Sequence, residues 1–204
     1  MLEQAVRDFL MLFATIDPIG TLALFVPLTT RLDATARRRT ASRAVIYAGL
    51  VLLGFLIAGE VILSALGVRL ASFQLAGGVI LFLLGLQMVF GTGVAGGSPE
   101  PDHDIAVFPL ALPSIASPGS IMAVVLLTDN HRQSVQQQAV TAAVLVLVLM
   151  LTAALLLMAQ PLHRTLGRTG ESVLVRVMGL ILAALATEQV VAAIELLTSS
   201  PRAV

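Results

Sequence analysis

The residues best placed to do chemistry are Asp17 and its neighbours Pro18, Ile19, Gly20 and Thr21, near the middle of an apolar run from about Phe9 to Thr29. A carboxylate at mid-membrane depth is costly, so such a residue normally faces a cavity or a partner. Pro18 has no N–H and crowds the turn before it, which predicts a break rather than a continuous helix. Asp17 fits an N-cap and Pro18 the first position of a new helix, with Gly20 allowing close backbone approach. A half-helix of this kind presents N–H donors at Ile19, Gly20 and Thr21, which suit a carboxylate or another anion. Ser117, Pro118, Gly119 and Ser120 repeat the device one hundred residues later. Paired interruptions in corresponding halves point to the binding site of a secondary transporter. For Asp17 two compatible readings stay open. It binds a substrate ammonium group or carries a proton, or it is a cap that satisfies backbone donors. Ser117 divides the same way between ligand contact and neutral cap.

Other polar residues are fewer and duller. Glu188 is the second candidate for a proton carrier, whereas Glu60 and Glu195 suit the membrane interface. Gln74, Gln87, Gln160 and Gln189 suit helix–helix hydrogen bonds or interfacial positions. Gly77, Gly78 and Gly85 lie on one apolar stretch, and small residues let membrane helices pack closely. Gly77 and Gly78 become ligand-facing if that helix abuts the broken first one. His103, His131 and His163 fall in loops or at span ends without metal-ligand spacing, so no metal site is expected. Ser117 has no histidine in any span to act as its base, so an intramembrane hydrolase is not expected either. Neither a catalytic group nor a cofactor is implied.

The elements that must hold these residues are membrane spans. The chain has 204 residues, 57% hydrophobic and 12% charged, with mean hydropathy +0.97. A soluble domain is about a quarter charged. Stretches of roughly 20 apolar residues are needed to cross the hydrocarbon, and six are readable, at about 8–30, 44–66, 70–91, 105–127, 139–161 and 173–197. Amphipathic helices are not expected. Formal charge is zero, all 12 basic residues are arginine, and there is no cysteine. Nucleic-acid binding, disulfides and thiolate chemistry are therefore unsupported. The start, Met1-Leu2-Glu3-Gln4, lacks the basic region of a cleaved signal peptide.

Arginine density gives the orientation. Arg31, Arg37, Arg38, Arg39, Arg43, Arg164, Arg168 and Arg176 fall on one side, and Arg7, Arg69, Arg132 and Arg202 on the other. The positive-inside rule puts the first set in the cytoplasm and both termini outside. The Gly/Pro-rich, acidic stretch 92–104 reads as a connector between repeat 1 (about 8–91) and repeat 2 (about 105–197) of a single transmembrane domain. With three spans in each half, any repeat must be inverted. Pro18 matches Pro118 and Leu66-Gly67 matches Leu166-Gly167 at an offset of one hundred, and Gly78 finds Gly179 with a one-residue slip.

The segments Asp17-Pro18-Ile19-Gly20, Gln74-Leu75-Ala76-Gly77-Gly78, Leu81 to Met88, and Ile105 to Pro113 running into Ser117-Pro118-Gly119-Ser120 occur in a specific order and spacing. In these the chain resembles the MarC family of bacterial inner-membrane proteins, which includes SnatA-type small neutral amino acid transporters. The resemblance implies an all-α fold of six helices in inverted three-helix repeats, with helices 1 and 4 broken at Asp17-Pro18 and Ser117-Pro118. It also implies export or exchange of amino acids such as glycine, alanine or threonine. The family often has Asn where this chain has Thr21, and Gly-Pro-Gly where it has Ser117-Pro118-Gly119. The expected substrate-binding set is Asp17, Pro18, Ile19, Gly20, Thr21, Gly77, Gly78, Ser117, Pro118, Gly119 and Ser120, with Asp17 and Glu188 as proton-coupling candidates. Small residues at the tips leave little room, favouring glycine or alanine over leucine. Close small-residue faces permit a homo-oligomer. The rival readings are a cation carrier using Asp17 and Glu188, and a non-transporting assembly or regulatory membrane protein.

Overall fold

A computed structural model describes residues 2–91, 104–129 and 133–199, and only the backbone of 162–166, 168 and 171. The connector at 92–103 with His103, the loop residues His131 and Arg132, and Arg202 lie outside the described residues, as does the side chain of His163. The described chain is helical, with no strand: α1 (Leu2–Ile16), α2 (Pro18–Leu28), α3 (Ala34–Ala65), α4 (Leu70–Phe90), a wound segment Ala106–Ile115, α5 (Pro118–Leu127), α6 (Val135–Leu157) and α7 (Ala159–Ser199). Five stretches are long and apolar enough to cross a membrane, and a sixth forms if Ala106–Ile115 and α5, bent by 52°, count as one.

Local chemistry explains where helices start and stop. Asp33 Oδ1 accepts from Ala36 N at 2.7 Å and caps α3, which starts ten residues before the apolar run because Arg37 to Arg39 are good helix formers. Gly67, at φ 66°, closes α3, with Val68 N donating to Leu63 O at 2.9 Å. Gly91, at φ 69°, does the same for α4. Ser134 and Gln137 form a capping box that begins α6 ahead of its apolar run. Gly167, at φ 62°, interrupts α7. The first apolar stretch begins at Leu2, and its start is amphipathic after all. Glu3 and Arg7 are exposed on one side, while Asp8 and Leu12 are buried on the other.

The segment 106–115 departs from the continuous span that its hydropathy suggests. Phe108 and Leu112 are extended (φ −127° and −129°) inside it. Each precedes a proline, and the proline ring disfavours helical backbone in the residue before it.

Packing divides the bundle in two. The larger core gathers Leu12, Ile16, Phe25, Leu52, Leu110, Ile115, Leu145 and Leu156, from α1 to α3, the 106–115 segment and α6. The smaller joins α4 and α7 through Leu81, Met88, Met178, Leu182 and Ala186, with Met122 of α5. α4 and α7 make the most extensive helix pair. Their backbones meet at glycines: a Cβ on Gly85 would lie 2.8 Å from Gly179 O, and one on Gly78 3.2 Å from Ala186 O. Gln74 Nε2 donates to Gln189 Oε1 across the same pair at 2.8 Å. The Arg43–Asp104 ion pair, 2.7 Å, ties α3 to the start of the 106–115 segment. Both side chains are well exposed, so it contributes little to stability.

Candidate functional site

α1 and α2 meet at Asp17, which is left-handed at φ 48°, ψ 69°. Asp and Asn tolerate this region better than other residues with a Cβ. Asp17 Oδ1 accepts from Gly20 N at 3.0 Å, and helical bonds continue through the site, from Asp17 N to Phe13 O and from Thr21 N to Asp17 O. Ser117 is an extended cap (φ −73°, ψ 159°) whose Oγ accepts from Ser120 N at 3.0 Å. Ile121 N donates to Ser117 O at 2.9 Å. The Ser117 hydroxyl also lies 3.4 Å from Thr15 O, which ties the start of α5 to the end of α1.

These bonds narrow the anion site. Of the six amides expected to face a ligand, those of Gly20, Thr21, Ser120 and Ile121 are taken up by the caps. Ile19 and Gly119 remain. Gly119 lines a cavity, whereas Ile19 packs against the α4–α7 core.

That cavity, of about 760 Å³, brings together much of the expected set: Asp17, Gly20, Thr21, Ser117, Pro118 and Gly119 all line it. Thr15, Ala23, Leu24, Pro27, Leu81, Leu84, Gln87, Met88, Gly91, Phe108, Pro113 and Ser114 complete most of the wall. It is roomier than the small residues at the tips suggest, because its wall reaches beyond them to Pro27, Gly91 and Phe108. Those residues mark the ends of α2 and α4 and the start of the 106–115 segment. Asp17 and Ser117 are both buried, at 7% and 3% exposure. Among the described residues no cluster of three or more His, Cys, Asp or Glu could hold a metal.

The remaining expected residues lie elsewhere. Gly77 is buried against Met122 and Gly78 against Val190 and Ala186, so both serve helix packing outside the cavity wall. Ser120 is fully buried, its hydroxyl donating to Ile115 O and Ser117 O at 2.9 Å. Glu188 is exposed on α7 and is not part of the cavity wall that Asp17 lines.

Two features escaped sequence reasoning. Ser114 lines the cavity and bonds Thr21, with 2.9 Å between the hydroxyl oxygens. Asp8 is a second buried carboxylate, at 1% exposure. The signal for Ser114 is a polar residue three before the Ser117 cap, inside an apolar run. For Asp8 it is a carboxylate one turn from Leu12 on the apolar side of an amphipathic start.

The model of the MarC family of integral membrane proteins matches residues 2–198. The chain belongs to the MarC family. Its relatives are similar end to end. A UPF0056 membrane protein of Methanocaldococcus jannaschii is 36% identical over 197 residues, covering 93% of this chain and 95% of the relative. The UPF0056 inner membrane protein YhgN of Escherichia coli is 32% identical over 189 residues, covering 92% and 94%. A UPF0056 membrane protein of Archaeoglobus fulgidus is 34% identical over 188 residues, covering 89% and 87%. No solved structure matches the chain. As a MarC protein the chain is a multi-pass integral membrane protein, and the cavity at Asp17 and Ser117 is its candidate site.

Proposed function

We propose that this MarC protein is a secondary transporter that exchanges or exports small neutral amino acids. The observation that carries the reading is that the starts of α2 and α5, capped by Asp17 and Ser117, line one cavity. The zwitterion's carboxylate binds at the tip of α5 through Gly119 N–H and the positive helix end, and its ammonium group binds Asp17. A cavity of about 760 Å³ is within the roughly 300–1,000 Å³ of small-molecule sites.

In this reading the two halves are inverted repeats, each with a broken first span. Packing supports it. Let α1 exchange with the 106–115 segment, α2 with α5, α3 with α6 and α4 with α7. The contact α1–α6 then becomes that of α3 with the segment, α2–α7 becomes α4–α5, and α2–α6 becomes α3–α5. The α3–α6 and α4–α7 contacts map onto themselves, and all of these contacts occur. Gly85 against Gly179 likewise maps onto Ala186 against Gly78. The spans end alike too, with the Thr29 and Thr128 hydroxyls each donating one turn back at 2.8 Å, to Phe25 O and Val124 O.

The positive-inside rule supports a cytoplasmic arginine-rich end and outside termini, so that the cavity wall at Pro27, Gly91 and Phe108 lies towards the cytoplasm. Proton coupling through Asp17 is a separate proposal, which an Asp17→Asn variant that keeps gradient-driven uptake overturns.

The test is amino-acid counterflow into proteoliposomes, paired with thermal stabilisation of the detergent-purified protein, since a ligand that binds the folded state raises its apparent stability. Glycine, alanine or threonine should stabilise the protein and exchange. Filling the cavity with Ala23→Phe should abolish both effects while the protein still folds. Absence of binding and exchange for every small neutral amino acid overturns the reading.

A further inference from the structure

Near the two tips, most polar groups are already spent. The Thr15 hydroxyl donates to Met11 O at 2.9 Å, and the Ser117 hydroxyl and Asp17 Oδ1 serve the caps. Gln87 is exposed, one turn from the end of α4. Thr21 and Ser114 differ. Their hydroxyls bond each other at 2.9 Å, and neither is held by backbone.

A hydroxyl carries one donor and two acceptor sites. A mutual bond uses one donor and one acceptor, so the pair keeps one O–H and several lone pairs for a third group. The remaining wall beside it is apolar, with Leu24, Leu84, Phe108 and Pro113. Thr21 lies four residues beyond Asp17, about 6 Å along a helix, and Ser114 three residues before Ser117. A substrate held at the tips by its ammonium and carboxylate groups reaches that distance with a side chain of one or two carbons.

We propose that the Thr21–Ser114 hydroxyl pair is the side-chain subsite of the cavity, and that it selects small amino acids bearing a hydroxyl over apolar ones of the same size. The inference rests on the transport reading above and adds the substrate feature that is read. A hydroxyl on the substrate's β-carbon joins the pair as both donor and acceptor. A methyl group in the same place leaves the free O–H unpaired in a largely dry wall, which is the stronger basis for rejection.

The experiment compares isosteric pairs, serine with 2-aminobutyrate and threonine with valine, by stabilisation of the purified full chain and by competition in proteoliposome exchange. Wild type should favour the hydroxyl member about tenfold, the worth of one hydrogen bond. Ser114→Ala should lower the ratio at least about threefold, changing serine and 2-aminobutyrate binding unequally. Thr21→Ser should keep the preference, and Thr21→Val should lose it. Unchanged melting of the unliganded Ser114→Ala variant shows that it folds. A wild type without preference, or a Ser114→Ala variant that keeps the ratio or weakens both members equally, overturns the subsite. Loss of all amino-acid binding in wild type is a different result: it overturns the transport reading, and the subsite falls with it.

Discussion

Thr141 of α6 donates its hydroxyl to Asp8 Oδ2 of α1 at 2.7 Å, across 133 residues of chain. The other carboxylate oxygen, Oδ1, is buried and has no hydrogen-bond partner. One turn earlier Gln4 Nε2 donates to Gln137 O at 3.2 Å, so α1 and α6 run side by side in a polar register. These contacts join the first turns of α1 and α6, at the opposite end of the first span from Pro27. Removing the donor leaves a buried carboxylate with only a long contact to Gln4 Nε2. Thr141→Val should therefore cost about 1–3 kcal/mol, read as a lowered unfolding midpoint in detergent, and Thr141→Ser should restore most of it. An unaffected Thr141→Val midpoint would show that the bond adds nothing net.

Asp17 combines a left-handed backbone with a cap. Asn accepts the same backbone region and keeps a carbonyl oxygen for Gly20 N, so Asp17→Asn should fold with stability within about 1 kcal/mol of wild type. Ala satisfies neither demand, and Asp17→Ala should lose about 2 kcal/mol or more. This separation matters for function, because Asp17→Asn changes charge while holding geometry. If Asp17 binds the ammonium group or carries a proton, Asp17→Asn should lose exchange or its dependence on the pH gradient while melting normally. Full gradient-driven uptake by Asp17→Asn would leave Asp17 as a cap alone.

What could be read from sequence is what local chemistry decides. Proline after Asp17 and after Ser117 marks a helix start whatever the surroundings, and apolar runs mark the spans. Span edges were harder to place, because Arg37 to Arg39 and Gln136 to Gln138 continue helices beyond the hydrocarbon. The extended residues Phe108 and Leu112 were readable through Pro109 and Pro113, but mean hydropathy hid them in a span. Asp8–Thr141 and Thr21–Ser114 were beyond reach, since 133 and 93 residues separate the partners and no local pattern encodes either pairing. Glu188, the second candidate for a proton carrier, is exposed on α7, and its position near a span end does not reveal which face of the helix carries it.

Glycine substitutions separate packing from propensity. A Cβ on Gly85 would come within 2.8 Å of both Ala183 N and Gly179 O, and neither backbone atom can move aside. Gly85→Ala should therefore lower stability by about 1–3 kcal/mol through overpacking. At Gly54, in the interior of α3, nothing lies within 4 Å. Gly54→Ala should be neutral or stabilising by up to about 1 kcal/mol, because alanine is the better helix former. Thermal unfolding of the two variants in one detergent decides it, and equal effects would contradict the close α4–α7 contact.

The chain contains no cysteine, so single introduced thiols report access without background. Leu24 lines the cavity about two turns beyond Asp17, and Ser114 lines it beside Thr21. If the proposed orientation holds, Leu24→Cys and Ser114→Cys should react with a membrane-impermeant maleimide from the arginine-rich face, in inside-out vesicles, and stay protected in right-side-out ones. Thr141→Cys, fully buried against Asp8, should resist from both faces. A bound small amino acid should slow labelling of Ser114→Cys more than that of Leu24→Cys, because Ser114 lies beside the tips and Leu24 further out. Equal labelling of Leu24→Cys from both faces would remove the one-sided cavity. Labelling from the opposite face alone would reverse the orientation drawn from the arginines.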